Sequence, residues 1–183
     1  MRDVELIADL VEKLARDVRD EIKALAPEEL AWRPDPEANS IGVTVWHFSR
    51  WLDVLTVQVL ENRPAEEELW HTGGWAARTG YDPRGVGYQG LGVLTNYTQE
   101  EVAAVPTLPA DALLTYLDQV CGALREHLLG LPAGALVRPA PGFGGKRTIY
   151  DRIKPLLMGC FGHVGEIEAL KAMRARRLPL SAL

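Results

Sequence analysis

Apolar residues recur at alternating three- and four-residue steps along the opening segment. Val4, Ile7, Val11, Leu14, Val18, Ile22 and Leu25 share one face, and Arg2, Glu5, Asp9, Glu12, Arg16 and Asp20 occupy the others. The spacing predicts an amphipathic helix of about six turns. Pro27 ends it and can open a short helical turn of its own, and Pro34 and Pro36 mark an extended linker. A second helix is predicted from near Ser40 to Glu61, with Ser40 as its N-cap. Val43, Val45, Trp46, Phe48, Trp51, Leu52, Val54, Leu55, Val57, Val59 and Leu60 cover nearly every side of it, so it belongs at the centre of a core or against a partner.

A third helix is read from Leu113, Leu117, Val120, Leu124, Leu128 and Leu131. A fourth opens at Thr148, which stands in capping-box spacing with Asp151, and carries Ile153, Leu156, Leu157, Cys160, Val164, Ile167 and Leu170 along one side. Lys171, Arg174, Arg176 and Arg177 complement the negative end of its dipole. Pro155 either kinks this helix or marks its true start. Between the second and third helices, residues 62–108 break the periodicity. Seven of the 17 glycines fall between Gly73 and Gly92, together with Trp75, Tyr81 and Tyr88. This segment reads as a long Gly-rich insertion, anchored by its rings into an ordered cover rather than left disordered. Four long helices and no strand pattern predict an all-α four-helix bundle.

Composition narrows the setting. At 183 residues, 47% of them hydrophobic, the chain suits a single domain over 1–183 with a substantial core. A formal charge of -5 without a basic block argues against nucleic acid and anionic membrane as partners. No apolar stretch is long enough to span a bilayer, the N-terminus is not patterned as a signal peptide, and two cysteines, Cys121 and Cys160, suit a reducing compartment. A cytoplasmic protein is the expectation.

Two phosphate-binding motifs fail on context. Gly85-Val86-Gly87-Tyr88-Gln89-Gly90 has the dinucleotide spacing but neither a preceding strand nor a following helix. Gly144-Gly145-Lys146-Arg147-Thr148 lacks the first glycine and the hydroxyl of a phosphate loop. The four histidines carry more information. His47 lies in the apolar second helix and His163 on the apolar side of the fourth, where a bundle would hold a metal; the competing reading is two core histidines bonded to carbonyls or carboxylates. Cys160 and Glu166 stand three residues either side of His163 and could complete a ligand set, as could His71 if residues 62–108 fold over the bundle. His127 sits at the margin of the third helix's stripe.

The chain resembles the DinB/YfiT-like superfamily of metalloproteins. The resemblance rests on Pro27-Glu28-Glu29-Leu30 with Trp32-Arg33-Pro34, on the run from Ser40-Ile41-Gly42 to Trp46-His47, and on His163-Val164-Gly165-Glu166-Ile167. It implies a DinB-like bundle in a mirror variant of up-and-down topology, commonly a homodimer. It also implies a divalent metal, zinc or nickel, held by three histidines, one on the second helix and two on the fourth spaced H-x-x-x-H. Relatives include thiol-dependent transferases. On that pattern His47 and His163 are two of the ligands, and the third position falls on Gly159. The expected function is therefore a metal-dependent transferase or hydrolase, S-transferase-like, with an incomplete triad. The alternative is a non-catalytic dimeric bundle that binds a small ligand or a partner.

Overall fold

The computed structural model describes residues 2–177, and among these the chain is all-α, with no strand. The first helix, α1 (Asp3–Ile22), follows the predicted stripe: Val4, Ile7, Val11, Leu14, Val18 and Ile22 are all buried. Pro27 opens α2 (Pro27–Ala31) at its first turn, where a missing N–H costs nothing. Ser40 caps α3 (Ile41–Val54), its hydroxyl accepting from the Val43 N–H at 3.3 Å. α7 (Ala110–Gly130) and α8 (Ile149–Arg177) are the remaining long helices. α1 packs against α7 and α8, and α3 packs against the same two, so α1 and α3 stand at opposite corners.

The second predicted helix differs from expectation in its last turns. After Val54 it widens into a π-helical stretch, Leu55–Leu60, ending in a bond from the Glu61 N–H to the Thr56 carbonyl. The Val59 carbonyl, in the last turn of the helix, accepts from the Gly142 N–H at 2.9 Å. A side chain at position 142 would place its Cβ 2.0 Å from the Gln58 carbonyl oxygen, so only glycine lets the chain dock there. That contact brings Phe143 beside the π segment.

Pro155 lies inside α8 rather than at its start. Thr148 fixes the start: its hydroxyl donates to the Asp151 carboxylate at 2.7 Å and accepts from the Asp151 N–H at 3.1 Å. Pro155 is on the solvent side, where the backbone carbonyl it leaves unpaired can meet water.

Residues 62–108 are not one structureless loop. They contain a short 3-10 turn, then α4 (Leu69–Thr72), α5 (Trp75–Thr79) and α6 (Gln99–Ala104). Trp70 and Trp75 pin the segment down. Both are buried, Trp70 donating its indole N–H to the Tyr81 carbonyl at 3.0 Å and Trp75 donating to Gln119 at 2.9 Å. Their rings pack with Trp46 and Tyr116, with centroids 5.2 to 6.3 Å apart. No helix among the described residues is long and apolar enough to cross a membrane.

Candidate metal centre

α3 and α8 bring His47 and His163 side by side. Their ring centroids are 5.1 Å apart and their planes nearly perpendicular, while His163 stacks on Phe48 at 6.1 Å. Each ring is oriented through Nδ1. His47 donates to the Val93 carbonyl at 2.5 Å, and His163 donates to the Glu166 carboxylate at 2.7 Å. Carbonyls and carboxylates accept only, so both Nδ1 atoms carry protons, and a ring that is neutral then holds its lone pair on Nε2. Neither Nε2 has a hydrogen-bond partner among the described residues. Rings anchored in this way at one nitrogen are what metal-binding histidines require.

The electrostatics agree with a neutral ring at His47. Burial pushes the His47 pKa down to about 4, with the Val93 carbonyl opposing and the nearby His163 reinforcing the shift. His47 thus stays unprotonated at neutral pH. The bond from His163, more than any other influence, holds the Glu166 carboxyl below its usual range.

The turn that anchors His47 depends on a glycine. Gly92 has φ +64°, and a Cβ there would lie 2.4 Å from the Pro83 carbonyl oxygen. In this conformation two successive carbonyls face α3: Gly92 accepts from Arg50 Nε at 3.3 Å and Val93 accepts from His47. Leu91 and Val93 pack on Val54 and Trp51, which seats the turn on the helix. The G-x-G-x-x-G run leading into it closes on itself, the Gly85 N–H meeting the Gly90 carbonyl at 2.9 Å; it forms a bend without a flanking strand.

The pair opens on a recess of about 170 Å³ lined by Phe48, Trp51, Gly159 and Cys160. The proposed completing residues have different fates. Cys160 lines the recess but is 1% exposed, and burial pushes its thiol up to about 12, so it is protonated at neutral pH. Glu166 reaches the pair only as the acceptor for His163 Nδ1. His71 lies elsewhere, on α4, with its Nε2 3.9 Å from Glu68. Position 159 faces the recess, and nothing lies within 4 Å of a Cβ built there. Among the described residues no group of three or more His, Cys, Asp and Glu side chains is arranged to hold a metal ion. The pair thus supplies two imidazole donors, one short of the three-histidine set the resemblance implies, as the glycine at position 159 led us to expect.

One feature of α3 escaped the sequence reading. Arg50 and Asp53 are fully buried with Glu68 and Tyr116. Arg50 donates to Glu68 at 2.6 Å, Asp53 at 3.0 Å and the Tyr116 hydroxyl at 3.2 Å; Tyr116 donates to Asp53 at 2.8 Å. Burial opposes the Arg50 charge, but these neighbours outweigh it and leave its pKa raised. Asp53 also accepts from the Leu69 and Trp70 N–H groups at 2.9 Å, capping α4 from another helix. The available signal was two opposite charges, three residues apart, in a helix apolar all round. Trp70, Trp75 and Tyr81 belong to this interior. Tyr88, by contrast, lines a cleft that adjoins the histidine recess.

A family model described as the DinB superfamily matches residues 10–167. Curated proteins gave no match. Among solved structures, a conserved protein from Enterococcus faecalis superposes with a TM-score of 0.76 at 17% identity, covering 94% of this chain and 97% of that one; at that identity the likeness is one of fold. With the family model spanning most of its length, the chain belongs to the DinB superfamily.

Proposed function

We propose that the protein is a metal-dependent enzyme of the thiol-transferase kind, binding a divalent cation, zinc or nickel, between His47 and His163. The observation that supports it is the pair itself: two imidazoles, each fixed at Nδ1, with neither Nε2 bonded to a described residue, lining one recess. A divalent cation there supplies one thing, a lowered pKa for a thiol or water bound to it. The chain's own residues do the rest. Val93 and Glu166 hold the rings in the required tautomer, and Phe48 and Trp51 restrict water. Gly159 leaves room for a donor brought by the bound molecule. The four long helices form the DinB-like bundle in its mirror up-and-down form, with residues 62–108 inserted between the second and third; the packing of α1 and α3 each against α7 and α8 supports this.

Metal analysis of protein purified without a nickel column tests the reading. Zinc or nickel bound at one equivalent, and lost in His47→Ala, is the expected result. No uptake by the wild type, or uptake unchanged in His47→Ala, overturns it. The second reading, a non-catalytic bundle binding a small ligand, is favoured by one observation: no third protein donor stands at the pair among the described residues. It predicts that His47→Ala lowers stability without altering metal content.

A further inference from the structure

The histidine recess shares Trp51, Pro155 and Leu156 with a larger cleft of about 570 Å³. Most of that cleft is apolar: Trp51, Leu55, Val59, Tyr88, Phe143 and Leu156 line it. Its charged lining is Arg147, Arg152 and Asp151. Asp151 is committed to Thr148 as the helix cap. Arg152 donates one guanidinium nitrogen to the Phe143 carbonyl at 3.2 Å, but its Nε is buried and has no partner among the described residues. Arg147 is exposed and makes no side-chain hydrogen bond or ion pair with a described residue. A protein of charge -5 thus sets two guanidiniums with unused donors at the edge of an apolar cleft. A buried N–H without an acceptor is costly and marks a place for one to be supplied. A guanidinium offers a planar fork that suits a carboxylate.

We propose that this cleft binds a substrate with an apolar, ring-sized body and a carboxylate. Arg147 and Arg152 hold the carboxylate, and the body lies along Trp51, Leu55, Val59 and Phe143. The molecule's other end then reaches the recess at His47 and His163. As a statement about substrate class at the histidine pair, this rests on the function proposed above; the acid-binding cleft itself does not require a metal.

The probes are 1-naphthoate and its neutral amide, 1-naphthamide, titrated into zinc-free protein by calorimetry, with the Trp51 indole N–H followed by NMR. The expected result is acid binding at least about tenfold tighter than amide binding, as a charge-assisted bond implies, with the Trp51 signal moving. Arg147→Gln, which breaks no side-chain hydrogen bond or ion pair with a described residue, is expected to weaken acid binding several-fold. Adding Arg152→Gln is expected to abolish the preference for acid, with the melting curve confirming that the variants fold. Equal binding of acid and amide, or a preference that survives both substitutions, overturns the proposal. Zinc uptake without acid preference removes the cleft and leaves the metal reading standing. Acid preference without zinc uptake does the reverse.

Discussion

His47 reaches the Val93 carbonyl across 2.5 Å, and that bond ties the orientation of a helix-borne imidazole to a turn that only glycine can make. The helix alone fixes where the ring begins. The turn after Gly92 fixes which nitrogen carries the proton and therefore which one is offered to the recess. Replacing Gly92 with alanine strains the backbone at φ +64° and drives a methyl into Pro83. It should cost about 1–3 kcal/mol in urea unfolding and release His47 from its Nδ1-protonated tautomer, visible in imidazole nitrogen shifts. A ring that keeps that tautomer in the variant would show that Val93 does not set it.

Gly159→His should complete the ligand set. The position faces the recess and has open space where its Cβ would stand. Zinc affinity is expected to rise by at least about tenfold, since even changes outside the ligand shell move it that far. Competition with a chelator measures it, and an affinity no better than wild type would place position 159 outside the site.

Acid should weaken the metal-free protein through His47. Its folded pKa, about 4, lies below the ordinary 6.5, so the unfolded chain binds the proton first. Stability is therefore intact above pH 6.5 and falls as pH drops from there to about 4, by about 3 kcal/mol at most from this group. His47→Asn retains a donor for the Val93 carbonyl without the titration. Its stability should depend less on pH across that window, as read by urea unfolding at several pH values.

Arg50→Met removes the buried cation that pairs with Asp53 and Glu68 in the interior. The loss should be about 3–5 kcal/mol, as for a buried pair broken on one side. Because Asp53 also caps α4, hydrogen exchange at the Leu69 and Trp70 amides should accelerate. A variant as stable as wild type, with those amides still protected, would show that the network is dispensable.

The long helices were readable because each buries a stripe whose period is written in its own residues. Val4 to Ile22 is the clearest case, and the caps at Ser40 and Thr148 fixed two starts. The same logic put His47 and His163 on the apolar sides of their helices. What local pattern could not supply was pairing between distant segments. Nothing in the stretch from Pro83 to Val93 announces that its carbonyls will face Arg50 and His47, because those bonds use backbone atoms common to every residue. The π turn at Leu55–Leu60 carries no local signal of its own, and the chain that meets it, at Gly142, is distant in sequence. The short helices of 62–108 were masked by glycine content, although Trp70 and Trp75 are what hold them.

His47 and its Val93 anchor both precede α7, whereas His163 arrives only with the last helix. A chain being made on the ribosome therefore carries one imidazole and no pair until that helix has folded back on α3. A cation held by both imidazoles, as proposed above, would need α8 already packed on α3 and could not template an earlier stage. Its binding would report that α8 has closed on α3.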